Sequence, residues 1–232
     1  MKSSLLAAVA VALSTSVIAS PAIAEENDGK GWYGTAGIGF LSPNDPTGDE
    51  CLTFAPDRFC ADYDFGFDAG ISGEIGVGYD FGQFRVEATY SRSSTSMNDV
   101  SADITANGVN AVTLTSNVDD GDTNLNSFML NGYYDFDTDS KFVPYVGGGI
   151  GYTQIDFSSY AVTIAGQALR SDEGTSGAFG YQAKAGISYL ASEKVDIFGE
   201  AIFSGTSGFS ISTADIDPIT AWGGQVGLRY RF

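Results

Sequence analysis

Ten ionisable side chains share one parity within short alternating stretches of this sequence: Glu74, Asp80, Arg85, Glu87, Asp135, Lys184, Asp196, Glu200, Arg229 and Arg231. Carboxylates interleaved with ammonium and guanidinium groups can form ion pairs, relay protons or line a path for ions. Paired acids can also serve as general acid and base, but the chain holds no histidine and no motif places these acids in a cleft. Asp119-Asp120-Gly121-Asp122 offers oxygens of the kind Ca²⁺ accepts, without the spacing of an EF-hand loop, and reads as a solvated acidic segment. Cys51 and Cys60 lack redox C-x-x-C spacing and read as one local disulfide, which in so small a ring adds roughly 2–3 kcal/mol to local order. Gly37, Gly39 and Gly147-Gly148-Gly149 precede no helical pattern, so they do not make a phosphate loop. No cofactor and no metal site is expected.

The elements that must position these charges are strands. Val226, Leu228, Tyr230 and Phe232 alternate with Gly227, Arg229 and Arg231 at the end of the chain, which gives one apolar and one polar face. Seven earlier segments alternate in the same sense. Their apolar sets begin Trp32-Gly34-Ala36, Ile71-Gly73-Ile75, Phe84-Val86-Ala88, Phe128-Leu130-Gly132, Val146-Gly148-Ile150, Phe179-Tyr181-Ala183 and Val195-Ile197-Gly199. The glycine run leaves the facing of the fifth segment, 146–152, open. Connections near 80–83, 137–140 and 191–194 are tight and turn-like. Those at 42–68, 97–123, 157–175 and 205–220 are long, and 109–118 and 160–169 within them keep strand-like composition, as of hairpins.

The N-terminus sets the compartment. Lys2, the apolar run Leu5–Leu13 and Ala22-Ile23-Ala24 before Glu25 have the form of a secretory signal peptide over 1–24. About 208 residues, 25–232, then remain for one domain. Without Lys2 the formal net charge moves from −18 to −19, which argues against nucleic acid as a partner and against attachment through a basic patch. No stretch of the sequence reaches the length of an apolar membrane helix.

Eight amphipathic strands of about ten residues, joined alternately by short and long connections, predict an all-β fold: an eight-stranded antiparallel transmembrane up-and-down β-barrel with four long extracellular loops. Both termini then lie on the periplasmic side. So narrow a lumen is filled by side chains, and inward charges must pair. Lys184, Arg229 and Arg231 are expected to neutralise carboxylates such as Glu74, Glu87 and Glu200 and, with Arg85, to plug the barrel.

Gly31-Trp32-Tyr33, the segment Pro144-Tyr145-Val146-Gly147-Gly148-Gly149-Ile150-Gly151-Tyr152 and the terminal Val226–Phe232 resemble the OmpA-type outer-membrane β-barrel superfamily. The likeness is strongest to its short porin-family and surface-antigen barrels, similar to Opa and OmpX. The resemblance implies residence in the cell outer membrane among lipid and lipopolysaccharide. It also implies insertion by the outer-membrane assembly machinery through the terminal signal Val226, Leu228, Tyr230 and Phe232, and contact of the surface loops with an extracellular partner. The enzymes known on small outer-membrane barrels depend on a histidine, so no catalysis is expected. Two functions follow as expectations: an anchor for acidic surface loops of adhesin or surface-antigen type, and, as the alternative, a small porin-like channel for ions or solutes.

Overall fold

A computed structural model describes residues 30–45, 47–54, 56–158, 161–164, 167–170, 173–211 and 214–232. The signal peptide expected over 1–24 lies outside the described residues. The strands are, in chain order, β1 (Gly31–Pro43), β2 (Thr47–Phe54), β3 (Asp57–Phe67), β4 (Gly70–Asp80), β5 (Phe84–Ala106), β6 (Val109–Asp135), β7 (Phe142–Phe157), β8 (Ala161–Ile164), β9 (Gln167–Arg170), β10 (Gly174–Leu190), β11 (Val195–Thr206), β12 (Phe209–Ile211), β13 (Ala214–Ile216) and β14 (Thr220–Arg231).

Eight of them, β1, β4, β5, β6, β7, β10, β11 and β14, pair antiparallel in that order. The ring closes where β1 meets β14, from Tyr33↔Arg231 to Pro43↔Ala221. The fold is the eight-stranded up-and-down barrel that the alternation predicts, and it is inside out relative to a soluble protein. Trp32, Ile38, Ile71, Phe84, Phe128, Ile150, Trp222 and Val226 face outward and are exposed, whereas Arg85, Glu87, Lys184 and Asp196 are buried in the lumen. Only lipid makes that arrangement favourable, because water would charge for every exposed ring while the closed ladder leaves no backbone group unpaired in hydrocarbon. Val146, Ile150 and Tyr152 face outward on β7, which decides the facing of the glycine-rich segment.

Aromatic pairs ring both ends of the apolar band. Trp32 with Tyr79, Phe84 with Tyr134 and Phe142 with Tyr189 lie toward the short turns. Tyr90 with Phe128 and Phe203 with Trp222 lie toward the opposite end. Such girdles mark the two bilayer interfaces. On β5 the outward apolar series stops at Tyr90 and gives way to Arg92, Ser94 and Ser96.

Beyond that level all four long connections carry strands. The connection 42–68 holds β2 and β3, 97–123 the distal parts of β5 and β6, 157–175 holds β8 and β9, and 205–220 holds β12 and β13. The first and fourth showed no strand pattern in sequence, because their register comes from neighbours. β3 lies along β5 from Phe59↔Ala106 to Phe67↔Met97, and β13 adds to β2 at Asp215↔Asp49 and Ile216↔Gly48. At the far tip Asn107 and Gly108 adopt φ of 51° and 77°, the pair of left-handed residues that a two-residue type I′ hairpin demands. Asn107 Nδ2 donates to Asp57 Oδ1 at 2.8 Å and its backbone N–H to the Arg58 carbonyl at 2.8 Å, so the β5–β6 tip is tied to the β2–β3 tip. Between barrel and tip the β5–β6 pairing jumps from Met97↔Gly121 to Asp99↔Asn117. The acidic segment 119–122 falls at that jump, within β6.

Candidate functional site, a packed lumen

Neighbouring strands present their inward residues in layers. In the layer nearest the short turns, Asp80 lies directly opposite Arg85 in the β4–β5 register and Arg85 opposite Tyr133 in β5–β6. Asp135, two residues from Tyr133, receives Arg85 through two bonds, Nε to Oδ2 at 2.6 Å and Nη2 to Oδ1 at 2.9 Å. This fork geometry is the strong form of an Arg–carboxylate contact. The same guanidinium lies 4.5 Å from the Tyr133 ring centre, 5.2 Å from Tyr145 and 5.8 Å from Tyr33. Gly147 makes room for this, since a Cβ there would strike the Tyr133 ring. Across the lumen Asp196 lies opposite Arg229 in β11–β14. It accepts from Arg229 Nη1 at 3.2 Å and pairs with Arg231 Nη2 at 2.7 Å.

One layer higher, Lys184 on β10 reaches Glu74 on β4 at 2.5 Å and Glu200 on β11 at 3.1 Å. Strands β4 and β10 are diametrically opposite in the ring, with three strands between them on either side, so the bridge crosses the lumen. Gln225 Nε2 donates to Glu74 at 3.0 Å and Glu200 at 2.6 Å, and Tyr145 Oη donates to the other Glu200 oxygen at 2.7 Å. Gln182, Asn131 and Thr89 continue the chain of bonds around the wall. Tyr133, Tyr145 and Phe198 form an apolar cluster beside these polar groups.

The pairings differ from those expected in sequence. Arg229 and Arg231 take Asp196 rather than Glu74, Glu87 or Glu200, because the register sets Asp196 beside them. Among the described residues Lys184 is the cation that pairs with Glu74 and Glu200. Glu87 has no ion-pair partner among the described residues and accepts one long bond, 3.4 Å from Tyr133 Oη. The inward rings Tyr33, Tyr133, Tyr145 and Phe198 were absent from the expected plug, yet their parity, opposite to Gly34, Tyr134, Val146 and Ile197, carried the signal.

Above the charges is a cavity of about 60 Å³ lined by Ser72, Ser91, Ser93, Ser127, Thr153 and Thr206, among others. Leu41, Leu125, Met129 and Ile202 interleave with these hydroxyls, and the volume would hold roughly four to six waters. Adjoining it through Ile219, at the outer end of the barrel, an apolar cluster of Ile155, Ala178, Phe209, Ile216 and Ile219, backed by Phe65 and Phe157, forms a roof. At the outer rim of the wall Asp156 accepts from Thr175 at 2.8 Å, Gln154 at 3.0 Å and Asn126 at 2.8 Å. Those bonds, Thr175 foremost, hold its carboxyl below the usual carboxylate range.

Cys51 and Cys60 face each other in the β2–β3 register and are joined as a disulfide. Val226, Leu228, Tyr230 and Phe232 all project outward. Among the described residues no group of His, Cys, Asp or Glu is arranged to hold a metal ion.

The sequence model of the outer membrane protein beta-barrel domain matches residues 8–232. The chain belongs to that outer-membrane barrel family. No curated protein matches it significantly. Among solved structures, neisserial surface protein A (NspA) is similar at 17% identity and a TM-score of 0.52, over 87% of this chain and 97% of that one. The outer membrane protein OprG of Pseudomonas aeruginosa is similar at 14% identity and a TM-score of 0.50, over 87% and 96%. The outer membrane protease OmpT of Escherichia coli gives 9% identity and a TM-score of 0.47, over 86% and 97%. At these identities NspA and OprG speak for the shared barrel, and the family places this barrel in the outer membrane.

Proposed function

We propose that this outer-membrane barrel is a non-catalytic anchor that holds a disulfide-tied, acidic β-sheet outside the cell for envelope structure or surface interaction. The observation that carries the reading is the length of the β5–β6 hairpin. Strands of 23 and 27 residues far exceed the 9–11 needed to cross a bilayer. From Arg92 to Ala106, at about 3.4 Å per residue on a strand tilted by about 40°, the hairpin stands roughly 35 Å clear of the apolar band. A rigid extension of that size presents a surface. The lumen supports the same reading, since the Lys184 bridge crosses it below and the Phe209–Ile216–Ile219 roof covers it above. In this orientation both termini and the short turns are periplasmic, after loss of the signal peptide. Lipid, lipopolysaccharide and the assembly machinery are the partners along the way, with an extracellular molecule at the sheet.

The serine-lined cavity is the feature that favours the alternative, a small channel, because it would be the middle of a path if both barriers opened. Planar-bilayer recording of the refolded protein tests the choice. The anchor predicts no steady conductance, and steady nanosiemens-scale openings would transfer the reading to a channel. External protease on intact cells should cut within 42–68 or 97–123 and spare the turns near 82, 138 and 193.

A further inference from the structure

The distal parts of β2, β3, β5 and β6 form a sheet with two unlike faces. On one, Asp49, Asp62 and Asp103 stand directly opposite one another across three strands, next to Asp64 and the Cys51–Cys60 bond. The register puts Leu52, Phe59, Ala106 and Val109 in a row on the other, with Ile104, Val112 and Leu114 in the rows below. Further down that second face, Tyr63 stacks on Phe65 with ring centres 6.2 Å apart, and Phe65 packs into the apolar roof of the lumen. The apolar face is thus covered where it meets the barrel and bare toward the tip. There Leu52 is 51%, Phe59 42%, Val109 69% and Val112 42% exposed. These side chains sit far above the aromatic girdle, in water, where a contiguous apolar patch marks an interaction site.

What would cover it follows from charge. Glu50 and Asp57 have the parity of this apolar face, one toward the β2 edge and one at the tip. Arg58 is the one cation among the described residues of the sheet, and the register turns it to the opposite face. The whole chain carries −18, which repels anionic partners and further copies alike. Four strands at about 4.8 Å spacing give a face about 14 Å across, room for about three turns of one helix. We propose that this bare face docks a cationic amphipathic segment of an extracellular partner, its apolar stripe on Phe59 and Val112 and its Lys or Arg residues on the carboxylate rim. This names the partner chemistry for the surface-display reading and rests on it.

The test uses the full barrel in nanodiscs of zwitterionic lipid. The probes are a fluorescent 14-residue Leu/Lys amphipathic helix and a Leu/Glu helix with the same apolar stripe, read by anisotropy. The expected result is binding of the Leu/Lys probe at least about tenfold tighter than the Leu/Glu probe, equivalent to 1.4 kcal/mol, with affinity falling as salt rises. Phe59→Ser with Val112→Ser should weaken it by about tenfold or more, while heat-modifiable gel migration shows the barrel still folded. Leu52→Ser with Val109→Ser provides an independent pair. Glu50→Gln with Asp57→Asn should flatten the salt dependence, and Asp62→Asn, on the opposite face, should change little. Equal binding of the two probes, equal capture by empty nanodiscs, or a loss in Asp62→Asn as large as in the serine pairs would overturn the proposal. So would self-association of the barrel that the serine pairs abolish, since the occupant would then be a second copy. Absence of probe binding to a sheet that external protease still cuts would sink the docking proposal alone. A sheet inaccessible to protease would sink the display reading itself.

Discussion

Lys184→Met is the substitution that most directly tests the packed lumen. The Lys184 side chain is 1% exposed and bridges Glu74 at 2.5 Å and Glu200 at 3.1 Å. Methionine keeps most of the volume and removes the charge, so cavity formation contributes little. What remains is two carboxylates held by the same Gln225 amide, at 3.0 and 2.6 Å. Two unit charges about 5 Å apart repel by roughly 3 kcal/mol at an effective dielectric near 20. Breaking a buried pair by removing one partner costs about 3–5 kcal/mol by a separate route of reasoning. With a urea slope of about 2 kcal/mol per molar, the midpoint should fall by roughly 2 M. Unfolding would be followed in lipid vesicles by heat-modifiable gel migration, which separates folded from unfolded barrels. Lys184→Met with Glu74→Gln should recover part of the loss, because one of the stranded charges is gone, and the resulting cycle isolates the coupling. A midpoint within about 0.3 M of the parent, near the precision of such extrapolations, would refute the reasoning, since the ammonium would then have to be solvated or replaceable by water.

Three further outcomes are expected. Gly147→Val should displace the Tyr133 ring from Arg85 and cost about 1–3 kcal/mol by overpacking, seen as a lower urea midpoint, whereas Gly132→Ala, whose Cβ meets nothing within 4 Å, should leave it unchanged. Deleting Phe232, an exposed lipid-facing ring, should cost a few kcal/mol at most in a purified barrel and still allow refolding in detergent; surface levels in cells should drop sharply if the ring is the assembly signal, and normal levels would remove that role. Asp156 is held charged by its donors, so its contribution is complete above the ordinary carboxylate range and lost as pH falls through its lowered value; amide protection near 154–157 should therefore decline below about pH 4, and Asp156→Asn should abolish that pH dependence.

The barrel was legible because parity is a local property. Every lipid-facing strand had to alternate, so Phe128, Leu130 and Tyr134 identify their strand without knowledge of its neighbours. Parity also placed Glu74, Arg85, Lys184 and Asp196 inside. Partner choice was not legible, because it depends on which strands face each other after closure and on how far each is staggered. Lys184 and Glu74 are 110 residues apart and meet only across a closed ring, while Arg229 finds Asp196 through the β11–β14 register. The hairpins β2–β3 and β12–β13 were hidden for a related reason. Stretches such as Thr47-Gly48-Asp49-Glu50 have little strand propensity of their own and are extended because an edge is already there to pair with. Tyr33 and Tyr145 carry the inward parity too, but an aromatic ring on a barrel strand suits lipid as well as lumen, so residue type alone does not place it.

The break in pairing between Met97 and Asp99, opposite 117–121, separates two bodies built to different specifications. Below it every position answers to lipid, lumen and closure at once, and a one-residue slip would turn lysine outward. Above it the sheet answers only to water and to whatever it meets. Residues 98 and 118–120 lie outside the β5–β6 ladder, so a length change or a new side chain in the outer sheet need not be transmitted to the register beneath. The joint therefore acts as a slip point, where an insertion or deletion in the exposed sheet is absorbed before it reaches the register of the part that must insert and seal.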